Sequence, residues 1–442
     1  MGNLIGITMR LKNAIPLLVG CLLSTAVSAT DLMDVYMEAQ ANDPQYASAR
    51  AANAAAQEKK TQGLSKLLPN INANGGYARN YPGDTQYSEN QYGITLTQPL
   101  FNIAAYQNWE RSKLETELGD AQFAEAKQDL MIRVADAYFA VLTAQEVLAF
   151  SEIQKEAVSQ QLALARRNFE VGNATITDTH EAVARYNLAE ADEIAAVNEL
   201  EVRKTALEEI IGHPPGILDP LREHVLLKMP EPAIITDWVD MAGNSNYRVV
   251  ESQLAYEIAK RQTAIAKAGH APTVDLVASY NHTNHDQYTM DSRRGLESFN
   301  SSKMVGIQWN IPLFSGFATS SKVKESVSLE EKSRNDLEAA KRSATQQARQ
   351  YFLSVSSGLS QVRALESAET ASLTALESNK LGYEVGVRIN IDVLNAEQQL
   401  YETRKNLTRA RNETILYGLR LKRAAGTLVE DDLQEVNLLL RK

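Results

Sequence analysis

Cysteine is nearly absent from this sequence: Cys21 is the only one among 442 residues. A single thiol cannot form a disulfide within the chain or supply the clustered thiolates of a structural zinc site. Cys21 also falls within residues 1–29, which we expect to be removed on export. The mature chain would then contain no thiol, and this excludes folds that depend on disulfides or on metal–thiolate bonds.

Long apolar runs are missing as well. After residue 29, no segment approaches the ~18 to 20 uninterrupted apolar residues that a transmembrane helix requires. The bilayer interior offers no hydrogen-bond partners for the backbone, so only helices and closed β-barrels can cross it. If this chain spans a membrane, it must therefore do so with β-strands.

The sequence has no excess of positive charge. Its 45 Lys and Arg residues are outnumbered by 55 Asp and Glu residues, for a formal net charge of −10, and no clustered basic stripe occurs. Proteins that bind nucleic acid neutralise its phosphates with lysine and arginine side chains. The composition therefore argues against a nucleic acid as partner.

Signatures of catalysis and of cofactor binding are missing too. No Ser-His-Asp arrangement or glycine-rich phosphate loop occurs in a suitable context. His282, His285 and Asp286 could hold a metal ion, but three polar residues in a long loop more often form solvated surface. The sequence therefore predicts no enzyme, no cofactor and no metal site.

The first 29 residues have the pattern of a secretory signal peptide. Arg10 and Lys12 provide the positive region, residues 14–23 the apolar core, and residues 27–29 a small-residue cleavage site. This pattern predicts export at least as far as the periplasm.

Two details of this segment stay open. Translation could begin at Met1 or at Met9, because the sequence from Met9 makes a more compact signal. The sequence around Cys21 also fits a lipoprotein cleavage site, although the apolar core continues beyond it. Cys21 is therefore either lipidated or removed with the signal peptide.

What the sequence does contain is one pattern that occurs twice. FEVGNATITD begins at Phe169 and YEVGVRINID begins at Tyr383, with a glycine and an aspartate at matching positions. A glycine just past a helical run is a common C-terminal signal, and an acid a few residues later is a common N-cap. Each stretch therefore predicts the tip of a helical hairpin.

The two halves of the mature chain predict the same series of elements. Period-two alternation predicts a pair of strands in each half, and proline-free runs with 3–4 apolar spacing predict long helices. A helix from about Ala104 to Phe169 would be roughly 100 Å long. The other predicted helices run from about Asp31 to Lys66 (with a break at 42–44), Asp178 to Ile211, Asn246 to Ala268, Ser320 to Tyr383 and Ile391 to Ala425, with an irregular linker at 213–236.

Each chain supplies four short amphipathic strands, and this number determines how many chains a closed barrel would need. Alternating apolar and polar faces are typical of a membrane barrel wall, yet at least about eight strands are needed to close one. Two copies would supply eight strands and three would supply twelve, and only twelve leave room for a wide pore that the helices extend as a tube. A soluble α+β protein whose strands cover a core is the alternative.

At this point the residues resemble those of the outer membrane factor family, the trimeric outer-membrane channels of Gram-negative efflux and type I secretion systems. The similarity covers the start of the mature chain (TDLMDVY), the strand exits TQPLF and IPLF, and both tips. It implies a membrane β-barrel plus a long α-helical barrel. Each protomer would give four strands and long helices from two tandem repeats, and a homotrimer would form a 12-stranded barrel in outer-membrane lipid.

The resemblance also implies a function and a set of partners. The protein would be an exit duct that passes drugs, toxins or proteins from the periplasmic side to the exterior, without catalysis. A periplasmic adaptor protein would join it to an inner-membrane transporter. The alternative is a periplasmic helical-hairpin adaptor or structural protein without a pore.

The domain organisation follows from the repeat and from the resemblance, which places two segments in an equatorial belt. The parts are a signal peptide (1–29), a first structural repeat with a helix, a β-hairpin and a long helical hairpin (30–215), an inter-repeat equatorial segment (216–245), a second structural repeat (246–428) and a C-terminal equatorial tail (429–442).

The family closes its periplasmic entrance with a network that holds one hairpin to the other. By similarity, this gate latch falls here on Thr177, Asp178, Tyr383 and Arg388. An arginine and an aspartate at paired tips can form a charge-assisted hydrogen bond, and an exposed pair contributes only about 0 to 1 kcal/mol. Asp178 could instead, or in addition, cap its own helix.

Inside the entrance, the family pattern places two aspartates per protomer that narrow the pore and attract cations. The matching pore-constriction positions here are Asp392 and Asn395, so one of the two acids is replaced by an amide. We therefore expect weaker block by multivalent cations than in the family pattern. A role for Asp392 as a helix N-cap is the alternative.

The tips would also receive the adaptor. Val171, Gly172, Val385 and Gly386 match the contact motif of the family, whereas the residues that follow the glycines depart from it. These departures affect which adaptor is recognised and leave the mode of docking unchanged.

Overall fold

The computed structural model describes residues 30–81, 86–172, 174–222, 225–288 and 296–441. The predicted signal peptide, including Cys21 and both candidate start residues, lies outside these residues, as does Asn173. The described residues are mostly helical, with four strands in a single sheet.

The first half of the chain contains two short helices, a β-hairpin and a long helical hairpin. Helix α3 has 68 residues and is therefore about 100 Å long. It begins directly after the second strand, where the Asn102 side chain accepts a hydrogen bond from Ala105 N at 2.9 Å. The elements are α1 (Leu32–Asn42), α2 (Pro44–Ser65), β1 (Asn70–Asn80), β2 (Gln86–Phe101), α3 (Ile103–Glu170) and α4 (Ile176–Ile211).

The second half repeats this order and ends in one additional helix. The elements are α5 (Ile235–Ser245), α6 (Tyr247–Ala268), β3 (Thr273–Tyr288), β4 (Leu296–Asn310), α7 (Ala318–Glu384), α8 (Asn390–Ala424) and α9 (Glu430–Asn437). Helices α5 and α9 were not predicted from the sequence. Within the described ranges, no helix is long and apolar enough to cross a membrane.

Helix α7 runs without a break through Gly358. A Cβ atom at Gly358 would lie 2.4 Å from Thr414 Oγ1 on α8. The glycine therefore allows the two helices of the second hairpin to approach each other closely.

The four strands form one antiparallel sheet in the order β1-β2-β3-β4. The register places Ile71 opposite Leu96, Leu96 opposite Ala278, and Ala278 opposite Val305. Residues directly opposite each other share a face of a sheet. The apolar positions of all four strands therefore lie on one face, as the period-two pattern predicts.

The other face of the sheet is small or polar in most places. It includes Asn72, Thr95, Ser279 and Met304, which the register also places opposite one another. The strands β1 and β4 are the two edges of the sheet, and neither has a second partner strand among the described residues.

The apolar face of the sheet is exposed in the single chain. Val305 is 78% exposed and Trp309 is 67% exposed, and Ile71 and Ile307 are comparably open. Monomeric soluble proteins rarely expose a contiguous apolar patch of this kind.

The main core lies midway along the long helices, where α1, α3, α4, α8 and α9 meet. Tyr36, Tyr138 and Phe139 are fully buried there. The first and the last described residues and the inter-repeat linker converge on this level. Thr30 N donates to Ile217 O at 2.7 Å, and Arg441 N donates to Pro220 O at 2.7 Å.

The same joint, a hydrogen bond from an asparagine at the junction of two short helices to the last turn of a long helix, occurs in both halves. The long helix is the one that returns from the tip, α4 in the first half and α8 in the second. Asn42 Nδ2 donates to Ile211 O at 2.8 Å, and Asn246 Nδ2 donates to Ala424 O at 2.9 Å. In each half, a glycine with positive φ follows the returning helix closely, and in the second half this glycine is Gly426 (φ 74°). A Cβ atom at Gly426 would lie 2.0 Å from the carbonyl oxygen of Ser245, so the backbones touch there.

Candidate functional site

The two helical hairpins close with the same turn. In the first tip (residues 171–175), Gly172 N donates to Phe169 O at 3.0 Å. In the second tip (residues 385–389), Gly386 N donates to Tyr383 O at 3.1 Å. The two glycines have φ values of 80° and 78°. The helices α3 and α7 therefore end in the same way, with a left-handed glycine directly after the last turn.

Apolar side chains project from both tips. Val171 and Val385 are 63% and 66% exposed, and Val387 is 79% exposed. Val171 and Val385, together with Gly172 and Gly386, are the positions for which adaptor contact was predicted, whereas Val387 departs from the contact motif of the family. Exposed valines at the end of a hairpin offer a small apolar surface to a partner.

The two tip aspartates lie inside the first turn of their helices, where Asp178 accepts hydrogen bonds from Thr175 N at 2.8 Å and from Thr175 Oγ1 at 2.9 Å. Thr175 is the N-cap, and Asp178 is the third helical residue of a capping box. Asp392 has the same position in α8 and accepts from Ile389 N at 3.5 Å. The suggestion that either aspartate is itself the N-cap is therefore wrong by three residues.

Three of the predicted latch residues surround one cleft of about 590 Å³ between the hairpins, namely Asp178, Tyr383 and Arg388. Thr177 is exposed on the first turn of α4. Within the described part of the chain, no hydrogen bond joins Asp178 to Tyr383 or Arg388; instead, Arg388 Nη1 lies 3.7 Å from Asp392 Oδ2.

The contact that does join the hairpins in this cleft involves a residue that sequence reasoning missed. Asn168 Nδ2, on α3, donates to Tyr383 Oη at 2.9 Å. Asn390 also lines the cleft, is 4% exposed, and has no hydrogen-bond partner for either side-chain atom among the described residues. A buried amide without hydrogen-bond partners lowers the stability of the fold. The hydrogen-bonding groups of this cleft are therefore not all satisfied in a single chain.

The predicted constriction residues lie on the first two turns of α8. Asn395 Oδ1 accepts a hydrogen bond from Arg185 Nη2, on α4, at 2.8 Å. Gln398 Oε1 accepts from Arg185 Nη1 at 2.6 Å. Sequence reasoning did not identify Arg185, because nothing in the pattern of α4 indicates which of its polar residues faces the other hairpin.

Nearer the middle of the molecule, charged groups connect the hairpins. Arg420, on α8, donates to Asp136, on α3, at 2.9 Å. Arg423 donates to Glu125 and Asp129, each at 2.8 Å. Each described contact between the hairpins at the tips involves at least one neutral partner, whereas Arg420 and Arg423 add ion pairs near the middle, which are usually stronger. The hairpins are therefore held more firmly at the middle than at the tips.

No cluster of three or more potential metal ligands occurs among the residues described. The three weighed candidates lie in strand β3, so the prediction of a long loop at this point is wrong. The His282 ring stacks on Tyr92 with ring centroids 4.7 Å apart, and its Nδ1 lies 2.8 Å from Ser301 Oγ. The side chains of His285 and Asp286 lie outside the described part.

The family described as "Outer membrane efflux protein" matches residues 35–213 and 238–427. The outer membrane protein TolC of Vibrio cholerae serotype O1 is 34% identical over 432 residues, which cover 97% of this chain and 98% of the relative. The alkaline protease secretion protein AprF of Pseudomonas aeruginosa is 31% identical, covering 92% and 87%. The structure of the Campylobacter jejuni CmeC outer membrane channel matches with a TM-score of 0.76 at 14% identity, covering 98% of this chain and 97% of that one. With this coverage by the family and by full-length relatives, the chain belongs to the outer membrane efflux protein family.

Proposed function

We propose that this protein is the gated outer-membrane exit duct of tripartite efflux and type I secretion systems. The observation that carries the proposal is the four-stranded sheet, with an exposed apolar face and two unpaired edges, continuous with helices of about 100 Å. The relative named for protease secretion supports a role in protein export as well as in drug efflux. No feature of the duct requires catalysis or a cofactor.

The sheet supports a homotrimer. An edge strand inside a bilayer would leave backbone N–H and C=O groups without partners, at a cost of several kcal/mol for each group. Pairing β4 of one copy with β1 of the next removes both edges, and three copies form a closed barrel of 12 strands. The apolar face then contacts outer-membrane lipid and the small, polar face lines the lumen.

The helices supply the periplasmic part of the duct. Hairpins α3–α4 and α7–α8 from three copies would form an α-helical barrel whose tips lie far from the membrane. The exposed valines of the tips would contact a periplasmic adaptor protein, which connects the duct to an inner-membrane transporter that supplies the energy.

The division into repeats and equatorial segments is part of this proposal. Residues 216–245 and 429–442 would form a belt around the helices, because both contact the core midway along them. The linker and the tail support each other directly: the side chain of Arg222 donates to Leu440 O at 3.0 Å. The same hydrogen bond lies inside each proposed repeat: Asn42 to Ile211 within residues 30–215, and Asn246 to Ala424 within residues 246–428.

Two adjacent positions of β4 test the barrel. Val305 belongs to the apolar face and Met304, 53% exposed, to the opposite face. We expect Val305→Arg to destabilise the membrane-embedded trimer by about 2 to 4 kcal/mol, because a lipid-facing arginine is costly. Met304→Arg should leave assembly intact and shift the ion selectivity towards anions.

The measurement combines the yield of trimers that resist detergent with conductance in planar bilayers. Wild-type protein that remains a soluble monomer, or that gives no conductance steps, would exclude the duct. Equal effects of the two arginine substitutions on assembly would show that the sheet does not separate lipid from lumen.

We further propose that the cleft between the tips is the gate, with Thr177, Asp178, Tyr383 and Arg388 as its latch and Asp392 and Asn395 at the pore constriction. The unsatisfied amide of Asn390 and the neutral contact between Asn168 and Tyr383 support a region that changes partners. The firmer ion pairs near the middle of the molecule would confine the movement to the tips.

Tyr383→Phe tests the latch. It removes one hydrogen bond, of the order of 1 kcal/mol, between the hairpins. We expect a higher conductance of the closed state in single-channel recordings. Tyr186→Phe is the matched control, because the Tyr186 hydroxyl has no hydrogen-bond partner in the described ranges and packs beside the same tip. A closed-state conductance that is the same in both variants would argue against the latch.

A further inference from the structure

Arg185 makes a two-point contact between the hairpins that no predicted role accounts for. Its two terminal nitrogens donate to Gln398 Oε1 at 2.6 Å and to Asn395 Oδ1 at 2.8 Å. The acceptors are three positions apart on α8 and therefore lie on one face of that helix. A planar guanidinium presents its donors in a fixed fork, so one side chain can hold two successive points on the partner helix.

The position of Arg185 continues the apolar packing at the tips. Ala182 and Leu394 are buried in a small cluster with Val158 and other residues of α3. Arg185 is three positions after Ala182 on α4, and Asn395 directly follows Leu394, so the polar contact lies beside the apolar one. Any movement of α8 away from α4 must break both hydrogen bonds.

The contact joins a charged donor to neutral acceptors. Among the described residues, no carboxylate oxygen lies within 4.0 Å of the Arg185 guanidinium, whereas Asp392 has Arg388 at 3.7 Å. An arginine remains charged at any physiological pH. The proposed constriction therefore combines the Asp392 carboxylate, which Arg388 partly neutralises, with the nearby Arg185 guanidinium, which has no ionic partner among the described residues.

We propose that Arg185 is a positioning and selectivity residue of the entrance: it clamps the second hairpin to the first, and its positive charge replaces the acidic character expected there. This proposal rests on the proposed function of the chain as a gated duct. It also changes the expectation for Asn395, because an aspartate at that position would pair with Arg185. Restoring block by multivalent cations would then require the loss of Arg185 as well.

The clamp is tested with Arg185→Gln and Arg185→Lys in single-channel recordings. Arg185→Gln should raise the conductance of the closed state several-fold and lower the preference for anions. Arg185→Lys should raise the conductance and keep the preference, because lysine retains the charge without the fork. Arg203→Gln is the matched control, since Arg203 lies on the same helix and bonds only to Glu199, within α4, among the described residues.

The charge is tested with Asn395→Asp alone and combined with Arg185→Gln, using hexamminecobalt(III) as the probe. The single variant should be blocked at a concentration close to that for the wild type. The double variant should be blocked at a concentration about tenfold lower, because the new carboxylates face the pore without a counter-charge.

A readout that does not depend on conduction completes the experiment. Hydrogen exchange of the backbone amides of residues 393–400 should be faster in the folded trimer of Arg185→Gln and unchanged in that of Arg203→Gln. The proposal would be overturned if Arg185→Gln left both the exchange rates and the closed-state conductance unchanged. It would also be overturned if Asn395→Asp alone were blocked by hexamminecobalt(III) at a concentration as low as that for the double variant. Wild-type protein without conductance would instead contradict the duct itself, while the exchange result would still decide the clamp.

Discussion

Replacing Gly426 with alanine is expected to prevent the chain from reaching its folded state in useful amounts. The backbone at this position is left-handed (φ 74°), which costs a non-glycine residue about 1 kcal/mol. The new Cβ atom would also lie 2.0 Å from the carbonyl oxygen of Ser245 and 3.0 Å from Asn246 N. These are backbone atoms, so relief requires moving the joint between α5, α6 and α8. We expect a loss of about 4 kcal/mol or more, as for other severe core substitutions.

Gly386→Ala is the matched control for this substitution. Its φ of 78° is nearly the same, yet apart from its own chain neighbours no atom of the described residues lies within 4 Å of the new Cβ atom. The control should lose only about 1 kcal/mol and should still assemble. The yield of detergent-resistant trimer and its midpoint temperature of dissociation measure both variants. Similar losses in the two would show that the strain at φ, and not the backbone contact at Ser245, makes glycine necessary.

The second large effect is expected at Asp43, a nearly buried carboxylate between α1 and α2. It accepts a hydrogen bond from Tyr46 N at 2.9 Å, which caps α2, and one from Arg133 at 2.7 Å. Asp43→Ala removes the cap and leaves the partly buried Arg133 with Asp129 as its one remaining counter-charge among the described residues. We expect a loss of about 3 kcal/mol in the free energy of unfolding. Asp43→Asn should lose less, because its amide oxygen can still cap the helix.

The same site predicts a dependence on pH. Burial alone would raise the pKa of Asp43, but the hydrogen bond from Arg133, the backbone N–H of Tyr46 and the charge of Arg133 together hold this pKa below its ordinary value. Because the folded pKa is the lower one, the carboxylate contributes its stability above the unfolded pKa of about 3.9. That stability is lost as the pH falls through the folded pKa.

The midpoint temperature of the wild type, compared with that of Asp43→Asn, measures this dependence. The advantage of the wild type should be full at neutral pH and should shrink below about pH 4. An advantage that stays constant down to the most acidic pH tested would show that the Asp43 carboxylate does not provide it.

Much of the fold could be predicted from the sequence because its elements are long and strongly periodic. The long helices and the four amphipathic strands occur close to where the sequence indicates. The comparisons confirm the predicted family, the outer-membrane location and the function as an exit duct. They give no support to a periplasmic adaptor or structural protein without a pore.

The missed helices were short or lay in a context that obscured them. Helix α5 follows a proline-rich linker, and only the pair Trp238 and Ala242, one turn apart, indicates its buried side. Helix α9 has eight residues, which is too few for a clear period. The starts of α4 and α8 were predicted to within two residues, at Asp178 and Ile391, and they lie at Ile176 and Asn390.

The contacts between the hairpins could not be predicted, for a different reason. Arg185 and Asn395, like Asn168 and Tyr383, are brought together by the lateral packing of two hairpins far apart in sequence. No period or motif specifies which polar residue of one helix faces a given residue of the other. The same limit applies to the backbone contact at Gly426.

The two edge strands of the sheet also determine how a protomer with a defective edge strand affects assembly with intact protomers. The proposed ring of three copies has three junctions between β4 and β1, and every copy takes part in two of them. One protomer with a defective β4 would leave one β4–β1 junction unpaired, so the two intact protomers of the same ring could not form a closed barrel. In a cell that makes both forms at equal levels, independent mixing would leave only about one ring in eight free of faulty chains. Damage to an edge strand should therefore behave as a dominant trait.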